Sequence, residues 1–402
     1  MILQEFSPKE FVDRQVAGIR KVVKGERALI AVSGGVDSTA CAVLTHRALG
    51  ENLLCVTIDD AFMRTGEPER IAQLLSSPPL NLPIRILDVQ KQFLGALEGL
   101  RDAEEKRKAF RETFYRVLSM VAKEESFWFL VQGTIRADVD ETTKGIKTQH
   151  NVLSQIGIST TKQYGFRLIE PLVSIYKPQV REVARFLGVP SELSERQPFP
   201  GPGLSVRVVG ENRTDKLESL KKATVITENN LTKHKPSQYF ATIIDNQDEP
   251  HHSRLMAMRK IAAQHLGVPL ENVLVKVFRD KATGMKGSLR HYGEIVAVEA
   301  QTTDGEIRRP QIQDLVNLQT KIVTTNPSTT RVLYAVQEIP RKQPYVVTIR
   351  AIQTHNFLTA EVSEIPWTTL SQSAKSILEG CSNVACVYYD VTPKPPATIE
   401  ME

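Results

Sequence analysis

Short apolar runs alternate with amphipathic stretches through the first half of the chain, a pattern typical of strands and helices around a parallel sheet. The runs predict strands at residues 28–32, 53–59, 84–89, 127–132 and 166–169. The amphipathic stretches predict helices at residues 37–49, 68–75, 103–123 and 178–187. Gly50 and Gly188 follow two of these helices as C-terminal stop signals. The sequence therefore predicts a doubly wound α/β fold.

The segments that follow the predicted strands identify one edge of this sheet. In doubly wound sheets, ligands bind beyond the carboxyl ends of the strands. Ser33, Asp59 and Gly133 each begin such a segment. We expect these three segments to converge on one crevice.

Two stretches interrupt the regular pattern. Residues 135–164 lose the hydrophobic period and are rich in Asp, Thr, Lys and Gln, which predicts a long mobile loop that closes over a site. The run QPFPGPGL at 197–204 then punctuates the chain, and the pattern changes beyond about Arg207. These features predict two domains, at residues 1–206 and 207–402, with a lid at about 135–165.

The second half repeats one motif. Residues 239–278, 294–336 and 345–391 each place a helical stretch between two apolar strand candidates. This approximate repetition favours an internal duplication and predicts an α+β carboxyl-terminal domain.

Composition narrows the class of protein. A chain of 402 residues exceeds the usual size of one core, and no apolar run is long enough to span a bilayer. The amino terminus lacks the features of a secretory signal, which predicts a cytoplasmic protein. Four scattered cysteines argue against a disulfide framework or a zinc site. The net charge of +5 comes without a basic run interleaved with aromatics, so we expect no membrane or nucleic-acid partner.

The loop SGGVDST follows the first predicted strand and opens a helix, so its backbone amides can face an anion. Gly34 and Gly35 allow close approach, and Asp37 suits a magnesium ion on a pyrophosphate better than a bare phosphate. A capped glycine turn is the plain alternative, and neither a Walker lysine signature nor GxGxxG is present. The candidate pyrophosphate ligands are Ser33, Gly34, Gly35, Val36, Asp37, Ser38 and Thr39.

This loop resembles the pyrophosphate loop of the N-type ATP pyrophosphatases, whose fold is adenine nucleotide α hydrolase-like. Further segments resemble the synthetase portion of the GMP synthase family. They are TIDDAFMRTGE at 57–67, AEEKRKAF at 103–110, QGTIRADVDE at 132–141, IKTQHNV at 146–152, IEPL at 169–172, RQPFPGPGL at 196–204 and KPPATIE at 394–400. These segments keep the family's order along the chain, which makes the resemblance specific.

The resemblance implies that ATP adenylates the C2 oxygen of XMP and that ammonia then displaces AMP to give GMP. It implies catalytic roles for Asp37, Lys147 and His150, with Mg²⁺ on Asp37, and places Asp59 near the ATP ribose and adenine. Closing of the lid would exclude water from the adenylate. Further lid candidates are Asp138, Glu141, Lys144 and Thr148, although acidic residues in a polar loop are equally often only solvated.

The resemblance also implies an XMP site made from two distant segments. Its candidates are Arg196, Pro200, Gly201, Pro202, Gly203, Arg350, Lys394, Thr398 and Glu400. The proline-glycine turn also has a plain structural use as a fixed path between domains. Without the resemblance, the carboxyl-terminal segment would be predicted to fray.

The chain departs from the family pattern at several positions. Gln149 replaces the first of two adjacent histidines, Met401 replaces a tryptophan, and Ala61 replaces a glycine. The carboxyl-terminal domain is expanded between about Thr224 and Gln343. Whether the chain forms the homodimer of the family is therefore an open question.

Only about thirty residues precede the loop, too few for a glutaminase, so we expect ammonia from a separate glutamine amidotransferase subunit. A part of a larger protein and direct use of free ammonia are the alternatives. Two other functions also stay open: another amide- or thiol-forming ATP pyrophosphatase, and a non-catalytic nucleotide sensor.

Overall fold

The computed structural model describes residues 6–143, 159–194, 197–287, 289–354 and 358–402, without the side chains of 141–143. Contacts divide the chain into two compact units. Unit 1 comprises Met1–Ala96 and Arg107–Gly201, and unit 2 comprises Leu97–Lys106 and Pro202–Glu402. The short segment Leu97–Lys106 belongs to the second unit, which the sequence pattern did not predict.

The sheet of unit 1 has five parallel strands in the order β3-β2-β1-β4-β5. The strands are β1 (Ala28–Ala31), β2 (Leu53–Asp59), β3 (Ile84–Asp88), β4 (Phe129–Val131) and β5 (Arg167–Ile169). All five predicted strands are present, and the order reverses between β1 and β4 as in doubly wound folds. The predicted fold class is confirmed.

The first half of the chain also forms helices before, between and after these strands. They are α1 (Pro8–Val23), α2 (Val36–Leu49), α3 (Glu67–Ser76), α4 (Gln90–Leu97), α5 (Ala103–Glu124), α6 (Arg136–Thr143), α7 (Thr160–Tyr164), α8 (Lys177–Phe186) and α9 (Ser191–Ser194). The four predicted helices are found as α2, α3, α5 and α8, whereas α1 and α4 were not predicted. Ser7 caps α1, and Pro8 begins it, a start signal that the sequence does carry.

The prediction of a continuous loop from residue 135 is wrong at both ends, because α6 and α7 occupy its described parts. Polar contacts hold α6 where the hydrophobic period is missing. The Ile135 N–H donates to Asp138 Oδ2 (3.0 Å), and Arg136 pairs with Asp140 one turn later (2.9 Å). Residues 144–158 lie outside the described part of the chain.

Unit 2 is built on a second sheet with the strand path β11-β10-β12-β9-β8-β7, and β6 pairs with β10. Its strands are β6 (Gln238–Asp245), β7 (Val273–Lys286), β8 (Leu289–Ala300), β9 (Thr329–Glu338), β10 (Tyr345–Gln353), β11 (Glu361–Val362) and β12 (Val384–Asp390). Its helices are α10 (Thr214–Leu231), α11 (Leu255–Leu266), α12 (Ile312–Thr325) and α13 (Trp367–Gly380).

The three predicted strand–helix–strand stretches are present as β6-α11-β7, β8-α12-β9 and β10-α13-β12. The last two pair their strands in parallel, whereas β6 and β7 lie at different places in the sheet. The segment after β6 nevertheless reaches β7, since the Glu249 N–H donates to Val277 O (2.7 Å). An internal duplication therefore stays a prediction, although the repeated motif is observed.

No helix in the described part of the chain is long and apolar enough to cross a membrane. All four cysteines are unpaired and buried.

Candidate nucleotide-binding site

The glycine loop joins the end of β1 to the start of α2. Gly34 has a φ of 73°, a left-handed conformation that glycine adopts without strain. The Ser33 N–H donates to Ser38 Oγ (3.3 Å), and the Ser38 hydroxyl donates to Gly35 O (3.2 Å). Gly35 precedes α2 and offers no side chain to cap its first amides. The helix therefore begins with N–H groups suited to bind an anion.

The end of β4 packs directly against this loop. A Cβ atom on Gly133 would lie 3.0 Å from the Asp37 carbonyl carbon and the Ser38 nitrogen. A side chain at this position would push the loop away from the sheet. The structure thus explains the glycine of the QGT segment, whose role the sequence did not reveal.

Asp37 lies in the first turn of α2, and its two carboxylate oxygens differ in their hydrogen-bond partners. Oδ2 accepts a hydrogen bond from Lys177 Nζ at 2.5 Å, whereas Oδ1 is buried and has no partner among the described residues. Burial raises the pKa of Asp37, and the Lys177 ammonium opposes that shift. The unpaired oxygen is suited to a cation or a hydrogen-bond donor.

Lys177 begins α8 and lies 140 residues from Asp37 in the sequence. Lys177 was not predicted as a site residue, because nothing in the local pattern IYKP links it to the glycine loop. Only the pairing of β4 with β1 and β5 brings α8 to this edge of the sheet.

Further buried polar atoms without partners occur on the elements around the loop. They are Thr39 Oγ1, Gln132 Oε1, Glu170 Oε1 and Arg181 Nε. Burial raises the pKa of Glu170, and a hydrogen bond from Thr134 opposes that shift. Unsatisfied groups of this kind mark places where a ligand or water belongs. Gln132 and Glu170 lie in segments that carry the family resemblance, but neither was predicted as a site residue.

The side chains available as ligands determine how a metal ion could bind. Within the described residues, no three His, Cys, Asp or Glu side chains are placed to hold an ion by themselves. Mg²⁺ commonly uses one or two carboxylates together with substrate phosphates and water. The unpaired Asp37 Oδ1 fits that mode of binding.

Asp59 ends β2 and holds the turn that follows. Its Oδ2 accepts a hydrogen bond from the Gln90 amide (2.8 Å), and its Oδ1 accepts one from the Ala61 N–H (3.3 Å). Ala61, where the family has glycine, has a φ of 72°. This left-handed conformation costs a residue with a Cβ about 1–2 kcal/mol, so the turn keeps the glycine geometry despite the substitution.

The next residues connect this turn to the proline-glycine segment. The Arg64 guanidinium lies over the Phe199 ring, 4.2 Å from its centroid. It also approaches Glu67 at 3.5 Å, and only 11% of the Arg64 side chain and 4% of the Glu67 side chain are exposed. Arg64 therefore ties the segment after β2 to the segment predicted to line the XMP pocket.

In unit 2, the carboxyl-terminal tail (residues 394–402) is held by buried arginines. Arg350 Nη2 donates to Thr398 O (3.0 Å), and Arg331 Nη2 donates to Thr398 Oγ1 (2.8 Å). Arg207 pairs with Glu400 at 2.9 Å. The tail is thus ordered, contrary to what a chain end alone predicts.

The last two residues are buried as well. Met401 belongs to the hydrophobic core of unit 2, so it fills the position where the family has tryptophan. Glu402 pairs with Lys106 and accepts hydrogen bonds from the Gly210 N–H (2.8 Å) and the Tyr292 hydroxyl (2.9 Å).

The structure describes only part of the predicted site. Lys144, Lys147, Thr148, Gln149, His150, Arg196 and the side chain of Glu141 are not among the residues it places. Asp138 lies in α6, and Pro200, Gly201, Pro202 and Gly203 lie in the proline-glycine turn. Arg350 is fully buried and bonds to Asp390 and to tail carbonyls.

Comparison with known proteins shows the family of the chain. One subunit of the glutamine-hydrolyzing GMP synthase of Sulfurisphaera tokodaii is 42% identical over 400 residues, covering 99% of this chain and 100% of the relative. The chain belongs to the GMP synthase family. The corresponding subunit from Methanopyrus kandleri is 36% identical over 404 residues, covering 99% of this chain and 100% of the relative.

Two domain families match parts of this member of the GMP synthase family. Residues 8–190 match the PP-loop domain, and residues 335–401 match the GMP synthase C terminal domain. Among solved structures, NMN synthetase from Francisella tularensis aligns with 50% of this chain and 79% of its own, at 19% identity and a TM-score of 0.39. The resemblance to GMP synthase and the assignment to the ATP pyrophosphatases are confirmed by the two sequence matches.

Proposed function

We propose that the chain is the synthetase subunit of a GMP synthase, a ligase that adenylates XMP with ATP and then forms a C–N bond with ammonia. The products are GMP, AMP and pyrophosphate. The observation that carries this proposal is the match to GMP synthase relatives over nearly the whole chain. The site agrees with it, because the start of α2 has no side-chain cap and the neighbouring Asp37 carboxylate has one oxygen without a partner among the described residues.

The glycine loop is the proposed pyrophosphate site. Its amides and the start of α2 would bind the β- and γ-phosphates, and Ser33, Ser38 and Thr39 add hydroxyl groups. Bound Mg²⁺ would neutralise charge on the departing pyrophosphate. Asp37 would hold it through Oδ1. Asp59 supports the neighbouring turn, on the side proposed for the ribose and adenine.

Lys177 extends this proposal. In the structure its ammonium neutralises Asp37, and its side chain remains 39% exposed. When a cation binds the Asp37 carboxylate in place of Lys177, the flexible lysine can turn toward a phosphate oxygen. We therefore add Lys177 to the proposed phosphate ligands.

We propose that the lid, at about residues 135–165, closes over the bound nucleotides. Lys144, Lys147 and His150 would reach the phosphates and stabilise negative charge as the α-phosphorus is attacked, and Thr148 would belong to the same lid. Asp138 and Glu141 would orient these groups or bind metal.

The XMP site is proposed at the proline-glycine turn and the tail. Arg196 and residues Pro200 to Gly203 would line the xanthine pocket, and Lys394 and Thr398 would bind the phosphate. Arg350 and Glu400 make buried contacts that fix the tail, which supports positioning roles for both.

Arg64 gives a direct test of the XMP pocket. Changing Arg64→Ala should raise the KM for XMP about fivefold to thirtyfold, because the contact of the guanidinium with Phe199 and its ion pair with Glu67 together contribute about 1–2 kcal/mol. The KM for ATP should change less than about twofold. Arg64→Lys should restore part of the loss.

The matched control is Arg70→Ala, because Arg70 lies on α3 nearby but is mostly exposed. It should leave both KM values unchanged. Equal changes in the KM for XMP and for ATP after Arg64→Ala would exclude a role confined to the XMP pocket.

The relatives are named as one subunit of a glutamine-hydrolyzing enzyme. This supports a separate glutamine amidotransferase subunit as the source of ammonia, and we propose the cytoplasm as the site of action. A homodimer is a further prediction, which light scattering of the purified chain would check.

The decisive experiment supplies purified protein with Mg²⁺, ATP and ammonium salt, with and without XMP, and follows GMP and pyrophosphate together. XMP-dependent release of both in equal amounts is expected. Tight nucleotide binding without any turnover at saturating ammonium would instead identify a nucleotide sensor.

A further inference from the structure

Two polar side chains lie next to each other where strands β4 and β5 end. Gln132 follows β4 and Glu170 follows β5, and the Gln132 N–H donates to Ile169 O at 2.9 Å. This bond continues the parallel register of the two strands, so Gln132 lies opposite Glu170. Side chains at opposite positions of neighbouring parallel strands point to the same face of the sheet, about 5 Å apart. The amide and the carboxylate therefore form a pair at the carboxyl edge of the sheet of unit 1.

Hydrogen bonds from two buried side chains position this pair. Gln132 Nε2 donates to the Tyr115 hydroxyl at 2.5 Å, and Glu170 accepts a hydrogen bond from Thr134. One oxygen of each group is left over: Gln132 Oε1 and Glu170 Oε1 are buried and have no partner among the described residues. A buried acceptor without a donor is costly, so a ligand or water with N–H or O–H groups belongs beside these oxygens.

The charge around the pair favours a cation. Burial raises the pKa of Glu170, the hydrogen bond from Thr134 lowers it, and the nearby Asp138 carboxylate raises it. In the described part of the chain, no cationic side chain acts on the pKa of this group. A divalent metal ion would need further ligands, and the described residues place no three His, Cys, Asp or Glu side chains to hold one. A small cation with its own N–H donors fits the two acceptor oxygens better.

We propose that Gln132 and Glu170 bind ammonium, and that Glu170 accepts the proton that converts it to ammonia. This inference rests on the proposed function, because ammonia is the nitrogen donor of that reaction. One N–H bond breaks, its electron pair stays on nitrogen, and the proton passes to a carboxylate oxygen of Glu170. Ammonia then bonds to C2 of the adenylate, the C2–O bond breaks so that AMP leaves with the oxygen, and the new amino group loses a proton to water.

Initial rates at varied ammonium chloride test this site, with ATP, XMP and Mg²⁺ saturating and sodium chloride keeping the ionic strength constant. Glu170→Gln should raise the KM for ammonium about tenfold, the loss expected for one hydrogen bond to a charged group. It should also lower kcat, because the proton acceptor is lost. Gln132→Met removes only the amide, so it should raise the KM for ammonium by a smaller factor and leave kcat unchanged.

Exchange of labelled pyrophosphate into ATP without ammonium measures the adenylation step by itself. This exchange should depend on XMP and should be equal in Glu170→Gln and the unaltered protein, because the proposed site binds only ammonium. The control variant is Glu26→Gln, since Glu26 is exposed and precedes β1 at the opposite end of the strands. It should leave the KM for ammonium unchanged. An unchanged KM in Glu170→Gln, or an equal loss of pyrophosphate exchange and amination, would overturn the proposal.

A binding measurement distinguishes this inference from the proposed function. Ammonium chloride should raise the unfolding temperature of the unaltered protein above its value in sodium chloride, and Glu170→Gln should remove this rise. If the rise is found but the unaltered protein forms no GMP, the ammonium site stands and the proposed function is wrong. If GMP forms but neither the rise nor the change in KM is found, only the ammonium site is wrong. An equal rise in potassium chloride would show a general site for monovalent cations and overturn the assignment to ammonium.

Discussion

Asp37→Asn should lower the rate of GMP and pyrophosphate formation about a thousandfold, because it removes the proposed carboxylate ligand of Mg²⁺ at the leaving group. The amide has nearly the same shape and retains one oxygen, so the loop itself should persist. The effect should therefore appear mainly in kcat, measured by pyrophosphate release at saturating ATP and XMP.

Asp88→Asn is the matched control, since Asp88 ends β3 in the same sheet but is exposed. It should retain full activity. A shift of the Mg²⁺ optimum to higher concentration in Asp37→Asn would support metal binding by this carboxylate. Normal turnover with an unchanged Mg²⁺ dependence would contradict the proposed role.

Asp390→Asn should destabilise unit 2 by about 3–5 kcal/mol, because it leaves two buried guanidinium groups without their shared carboxylate. Asp390 Oδ2 accepts hydrogen bonds from Arg350 Nη1 (2.6 Å) and Arg331 Nη1 (3.4 Å), and all three side chains are fully buried. Burial, together with the neighbouring Arg350 charge, already lowers the pKa of Arg331 to about 9. Little compensating interaction with water is available to these groups.

Urea unfolding followed by circular dichroism would measure this loss. Asp304→Asn is the control, because Asp304 lies in an exposed turn of the same unit. It should unfold at the same urea concentration as the unaltered protein. Because Arg331 and Arg350 also hold the tail, Asp390→Asn should raise the KM for XMP as well. A free energy of unfolding within about 0.5 kcal/mol of the original would show that the buried carboxylate is dispensable.

The strands and helices of the first half could be predicted from local hydrophobic patterns in the sequence. The apolar runs of β2 and the amphipathic stretch of α5 are readable because burial on a sheet or a helix face imposes a hydrophobic period. α6 was not predicted, because side-chain hydrogen bonds rather than a hydrophobic face stabilise it. The start of the glycine loop was predictable for a related reason: a strand, two glycines and a helix start are contiguous in the chain.

Contacts between distant segments required the tertiary structure. Lys177 meets Asp37 only because parallel pairing brings the ends of separate strands to one edge. Arg64 meets Phe199 in the same way, across more than a hundred residues of chain. No local period encodes such contacts, because each depends on the strand order.

By itself, the sequence determined the α/β class, the glycine loop and the family, because these depend on contiguous residues and their order. The tertiary structure decided how the tail is held and which side chains surround Asp37. The physical reason is that burial, charge pairing and hydrogen bonding are properties of the folded arrangement, in which residues from every part of the chain compete for the same partners.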